Sequence, residues 1–176
     1  MDQKQFTLES FKNIQQLIVF LHNKANAILV IDGVSATVFI GLSKDLTLVK
    51  DFSLLPMQLQ FASIGLAISA LVFVALFIYQ LYFVIFEIIY PNLAKHYDES
   101  QISLFYFEHI AHLEKKDFQK RTFELDSDTI VEQLSGQVYE VARILTTKTV
   151  KLRTALGLVF SELVALVIFG LLSRLF

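Results

Sequence analysis

Between Asp51 and Glu87 the chain carries no charged side chain, and from Phe61 onward its residues are almost continuously apolar. About 20 such residues cross a hydrocarbon core as a helix, so 61–87 is expected to span a membrane with some length left for tilt. Pro56 is expected in its first turn, where a missing N–H costs little. Pro91 marks its other end, because the residue before a proline avoids helical backbone angles. Two shorter apolar runs each hold one charge: 25–43, between Lys24 and Lys44, contains Asp32, and 154–173, between Arg153 and Arg174, contains Glu162. An acid at mid-helix costs about 3 kcal/mol on insertion scales, which the surrounding Ile, Leu, Val and Phe offset. Three transmembrane helices follow. Residues 1–24 are polar and of mixed charge, which argues against a removable signal peptide.

Outside these runs the apolar positions keep a helical step. Phe11, Ile14, Ile18 and Leu21 alternate intervals of three and four, as one packing stripe requires. No breaker separates this helix (1–24) from the first span. Asp126 or Ser127 can cap another helix, on which Val131, Leu134, Val138, Val141 and Leu145 repeat the pattern and run without proline into the third span. Gln101–His112 reads as an aromatic-rich strand or short helix, and Lys115–Phe123 as a further short helix. Both long seams extend into the membrane. The first continues through Ala25, Ile28 and Asp32, the second through Lys148, Leu152, Ala155, Val159 and Glu162. Asp32 is eight residues past Lys24 and Glu162 nine past Arg153, so at about 1.5 Å per residue the acids lie at similar depth. Intramembrane acids mark a pore or gate, or else are protonated and hydrogen-bonded to Ser35, Ser161 or backbone; the sequence leaves both open. Gly33, Thr37 and Gly41, and Gly157, Ser161 and Ala165, recur every four positions and allow close helix approach, within one chain or between copies.

Composition agrees with a membrane protein. Apolar residues make up 55% of the 176 and charged residues 18%, where soluble domains carry about a quarter charged. Cysteine is absent, which removes disulfides, thiolate metal sites and cysteine nucleophiles. The net charge of −2 gives no reason to expect nucleic acid as a partner. Charge placement sets the orientation. Of 15 basic residues, Lys44, Lys50 and Arg174 fall on one side of the three spans and the other twelve on the opposite side, which is therefore the cytoplasm. The fold class expected is an all-α membrane protein of three spans. A small, mostly helical cytoplasmic domain is formed by 1–24 and 88–153, and 44–60 is an extracytoplasmic loop.

No catalytic motif stands out. Phosphate-loop, nucleophile-elbow and H-E-x-x-H patterns are missing, so an enzyme is not expected. Glu108, His109 and His112 share a spacing that could suit a metal, but without thiolates or further close ligands ordinary hydrogen bonding is the commoner role, and no cofactor is assigned.

Four stretches together carry a family resemblance. These are Asn23-Lys24-Ala25-Asn26-Ala27-Ile28-Leu29-Val30, Tyr90-Pro91, Phe105-Tyr106-Phe107-Glu108-His109-Ile110-Ala111, and Gln137-Val138-Tyr139-Glu140-Val141-Ala142-Arg143-Ile144-Leu145 with Lys148 after it. In this order, over nearly the whole chain, they resemble the transmembrane effectors of the Pycsar anti-phage system. The resemblance implies a bacterial inner-membrane protein, N-terminus cytoplasmic. It would respond to cyclic CMP or cyclic UMP from a cognate cyclase and disrupt the membrane in abortive infection. The phosphate-binding cassette of cyclic-nucleotide-binding β-barrels is missing, so ligand contact would use another surface, or sensing would be indirect.

Such a ligand needs a cation or N–H nest for its phosphate and a plane with polar edges for its base. Lys24, Arg121, Arg143 and Lys148 offer charge; Phe105 and Tyr139 offer planes, as does Phe107; Asn23 and His109 offer edges, as does Gln137. Arg143 follows Tyr139 by four residues, on one helix face, which makes that pair the first choice. Lipid headgroups compete for the cations and the core for the aromatics. Three spans make a thin bundle, so a conducting path near Asp32 and Glu162 would need a homo-oligomer in the bilayer. Two rivals stand beside this reading: a constitutive anchor or scaffold for a cytoplasmic partner, and a small ion channel unrelated to immunity.

Overall fold

The structure, a computed structural model, describes residues 2–44, 46, 56–91 and 103–176. Most of the loop 44–60, with Lys50, lies outside these residues, as do Lys95, His96 and the start of Gln101–His112. Among the described residues five α-helices follow one another: α1 Gln3–Ser43, α2 Met57–Tyr82, α3 Phe107–Ala111, α4 Lys115–Phe123 and α5 Ser127–Ser173. A π-helical segment, Phe83–Ile89, continues α2 without a break. No strand occurs among the described residues. Three helices are long and apolar enough to cross a membrane: α1, α2 with its π-helical end, and α5.

The ends follow from local chemistry. Pro56 is the N-cap of α2 rather than part of its first turn, and the helix starts at Met57, four residues before Phe61. Met57, Gln58, Leu59 and Gln60 are all good helix formers, so the helix extends past the apolar run. Tyr90 is extended, with ψ 136°, as the residue before Pro91 must be. Asp126 caps α5: its Oδ1 accepts the Thr129 N–H at 2.7 Å. Residues 103–106 form a loop that enters α3, so the described part of Gln101–His112 is a loop and a short helix and not a strand.

The chain divides into two compact units, and α1 and α5 each contribute to both. The first comprises Met1–Leu21 and Pro91–Thr149. Its buried residues include Thr7, Leu21, Tyr106, Leu134, Gln137, Glu140 and Lys148. Polar Gln137 and Glu140 are buried on α5, whereas the expected seam residues Val138 and Val141 are only half-buried. The buried stripe of α5 thus runs through these polar residues. The loop before α3 is fixed by side chains: the Leu104 N–H donates to Gln133 Oε1 at 2.9 Å and the Ser103 N–H to His109 Nδ1 at 3.0 Å.

The second unit comprises His22–Tyr90 and Val150–Phe176. Here α1 and α5 run parallel, with Phe39 against Phe169 (ring centroids 4.7 Å apart) and Leu42 beside Gly170. Span two runs antiparallel to α5. Successive contacts pair Glu87 with Lys151, Gln80 with Ala155 and Gly65 with Leu172. Phe73 stacks on Phe39 at 4.5 Å and packs with Ala165 and Leu166, and Leu42 and Leu76 complete this core. Large apolar side chains such as Val30, Val34, Leu71, Ile78, Phe160 and Val167 point outward, which on a membrane-spanning unit is the face offered to lipid.

Candidate functional site

The Tyr139–Arg143 pair forms as the helical spacing requires. Arg143 Nη1 donates to the Tyr139 phenol oxygen at 3.2 Å, and its guanidinium carbon stands 5.8 Å from the ring centroid. Tyr139 is 57% exposed. With Ala142, Thr146 and Thr147 the pair lines an open depression of about 330 Å³. Both threonine hydroxyls donate back along the helix, to the Ala142 and Arg143 carbonyls, and keep lone pairs for an incoming donor. The threonines were not among the candidates read from sequence, although the three-and-four step from Tyr139 and Arg143 reaches both. Ligand pockets usually hold about 300–1,000 Å³ and bury most of the ligand, so this depression has the chemistry of a nucleotide face but lacks an opposite wall. A second depression, lined by Lys12, Gln15, Gln16 and Val19, offers a cation and amides but no aromatic plane.

The remaining candidates lie on several elements. Arg121 is exposed on α4, and Phe105 is half-buried in the loop before α3. His109 is half-buried, with Nδ1 occupied by the Ser103 N–H and its ring edge-on to Tyr106 at 5.1 Å. Lys148 and Gln137 are buried and engaged. Asn23 and Lys24 are exposed on the part of α1 that belongs to the second unit. Among the described residues, no group of three or more His, Asp or Glu is placed to hold a metal ion.

Inside the second unit the two intramembrane acids face one another. Asp32 is 0% and Glu162 1% exposed. The Asp32 charge acts on the Glu162 carboxyl, and Ser35, also buried, approaches it. Even so, none of the four carboxylate oxygens accepts a hydrogen bond of good geometry among the described residues. Gln80 is equally buried: its Nε2 donates to the Ala155 carbonyl at 3.1 Å and its Oε1 is left without a donor. The glycine faces point away from this interior. A Cβ added at Gly33, Gly41 or Gly157 would meet nothing within 4 Å, and Thr37 and Ser161 are exposed beside them.

One pair was not anticipated. Glu87, in the π-helical segment, makes a salt bridge with Lys151. π-Helical turns are rare and cluster at functional sites. The sequence signal is that Glu87 is the first charge after Asp51, at the end of span two, and Lys151 one of the last before span three.

A family model described as the Pycsar effector protein domain matches residues 6–174. No curated protein and no solved structure matches the chain. The matched segment takes in all of the helices but the first three residues of α1, with both acids of the spans, and the chain belongs to the Pycsar effector family.

Proposed function

We propose that this membrane protein is a nucleotide-gated effector of anti-phage defence. It senses cyclic CMP or cyclic UMP and then breaches the bacterial inner membrane, causing abortive infection. Family membership carries the effector role; the cyclic pyrimidine nucleotide and the membrane lesion are our reading. In it, the segments 1–24 and 88–153 are cytoplasmic and the ligand sits on the Tyr139–Arg143 face. Arg143 binds the cyclic phosphate as a charged donor, Tyr139 stacks on the base, and Thr146 and Thr147 reach the ribose.

The observation that carries the coupling is that Tyr139, Arg143 and Glu162 lie on one unbroken helix, α5. A helix transmits displacement along its axis, so ligand at its first half shifts its second. A depression open on one side suits a site closed by a second copy, and the unpartnered Gly33, Gly41 and Gly157 faces suit close packing between copies. The lesion then forms where Asp32 and Glu162 meet. The orphaned acids favour one rival, a cation channel that conducts without nucleotide.

Bacteria producing the chain together with a pyrimidine nucleotide cyclase separate the readings. Membrane depolarisation that needs the active cyclase supports the effector. Depolarisation with an inactive cyclase supports the channel, and none in either case contradicts both.

A further inference from the structure

The acids on α1 and α5 pose an electrostatic problem that the described residues do not themselves solve. Taking an ionised carboxylate out of water costs several kcal/mol even after relaxation, and here two are enclosed together. The usual remedy is a basic partner or hydrogen-bond donors. Among the described residues, no cation forms an ion pair with them. The nearest on α1 are Lys24 and Lys44, eight and twelve residues from Asp32, which is about 12 and 18 Å along the axis. On α5 the nearest are Arg153 and Lys151, nine and eleven residues from Glu162, and Lys151 is already paired with Glu87. Span two has no charge before Glu87 and presents Phe73, Leu76 and Phe77 near this level, while its Gln80 lies toward Ala155, a full two turns away along α5. Backbone N–H groups of both helices are used within the helices. Ser35 brings one hydroxyl toward Glu162.

We propose that Asp32 and Glu162, with the Ser35 hydroxyl, bind one monovalent cation within the transmembrane helices. The donor set is all oxygen, which suits a hard ion and excludes the nitrogen and sulfur coordination of zinc or copper. Two carboxyl groups and one hydroxyl offer at most five oxygens, short of the six to eight that calcium takes. A proton or an alkali-metal ion fits. Both act through the same chemistry, a single positive charge shared by two carboxylates in a low-dielectric interior, where that attraction is far stronger than in water. Occupancy ties α1 to α5 at mid-span, and its loss leaves two like charges face to face. The site uses the acids invoked above for the lesion, but it is a property of the resting chain. It is measured without nucleotide, so its failure and that of the nucleotide reading are distinguishable.

The test is thermal unfolding of the full chain in lipid nanodiscs, followed by the helical circular dichroism signal. In one arm sodium or potassium chloride replaces choline chloride at constant ionic strength and fixed alkaline pH; in the other the pH is lowered in choline chloride. The wild-type midpoint rises by a few degrees in the alkali arm if a metal ion is bound, or in the acid arm if a proton is. The Asp32→Asn, Glu162→Gln double variant moves in neither. A wild-type midpoint flat in both arms, or a double variant that shifts equally, overturns the proposal. Two wild-type measurements keep it independent of how the variant folds. One is saturable binding of radiolabelled sodium at one ion per chain, and the other an exchange-protected carboxylic-acid C=O band in the infrared that grows as pH falls. The absence of both overturns it as well.

Discussion

Arg143 both donates to the Tyr139 phenol oxygen and stands over the Tyr139 ring, on a face of α5 that is open to solvent. The two contacts pre-orient the guanidinium beside an aromatic plane without burying either group. Charge-assisted hydrogen bonds contribute about 1.5–3 kcal/mol, so Arg143→Ala should weaken cyclic nucleotide binding roughly 10- to 100-fold. Tyr139→Phe, which keeps the plane, should cost only a few-fold. Equilibrium dialysis with labelled cyclic UMP or cyclic CMP reads both, and unchanged circular dichroism shows that the helix is intact.

The Glu87–Lys151 pair joins the π-helical end of span two to α5. Both groups are partly exposed, so its coupling is small, on the order of 1 kcal/mol. Glu87→Gln and Lys151→Met should each lower the unfolding midpoint slightly, and the double variant should cost less than the sum. A charge swap, Glu87→Lys with Lys151→Glu, should recover most of the loss. Additive single effects in a double-mutant cycle would remove the pair from the account.

Much of this fold is legible in the sequence because a lone charge in an apolar run leaves few choices. Asp32 continues the step of Leu21, Ala25 and Ile28, and Glu162 that of Leu152, Ala155 and Val159, and all of these side chains are buried. The rest was hidden for physical reasons. Periodicity marks where apolar residues gather, so it favoured Val138 and Val141 over Gln137 and Glu140, polar residues that such a pattern passes over. A π-helical segment has no compositional signature, so the register that brings Glu87 to Lys151 could not be read. Of the ligand candidates, only the pair four residues apart on one helix could be placed, because its geometry is local. Asn23, Lys24, Phe105, His109 and Arg121 depend on tertiary placement.

The glycines separate two kinds of helix contact. A Cβ at Gly65 or Gly170 would come within 3.3 Å of Leu172 or 3.2 Å of Leu42, so Gly170→Val should destabilise the single chain. Gly33→Leu and Gly157→Leu enter open space and should leave the monomer's unfolding midpoint unchanged while weakening self-association. Cross-linking in nanodiscs against protein-to-lipid ratio measures this. An unchanged cross-linking pattern would place the interface between copies elsewhere.

The cap of α5 gives a pH prediction outside the membrane. The Thr129 side chain and N–H hold the Asp126 carboxyl below its ordinary value of 3.8. A carboxyl whose pKa is lower in the folded state stabilises it above the unfolded value. That contribution fades as pH falls below 3.8 and through the lower folded pKa. The stability difference between wild type and Asp126→Asn should therefore be constant near neutrality and shrink in acid. A difference that grows as pH falls would reverse the assignment.

The acids bear directly on the proposed lesion. Asp32→Asn and Glu162→Gln remove the charge at mid-span and keep the shape, so each should reduce nucleotide-triggered leakage at least tenfold, on the order of 1.4 kcal/mol in an equilibrium. Full leakage from a folded double variant would confine the acids to packing.

Nucleotide-triggered leakage itself is the most direct measurement. Liposomes of bacterial lipid, loaded with a self-quenched dye and carrying the full chain, are exposed to cyclic UMP, cyclic CMP or cyclic AMP. The account predicts dye release with a cyclic pyrimidine nucleotide and little with cyclic AMP, and loss of that release in Arg143→Ala. Release that needs no nucleotide, or none with any of the three, contradicts it.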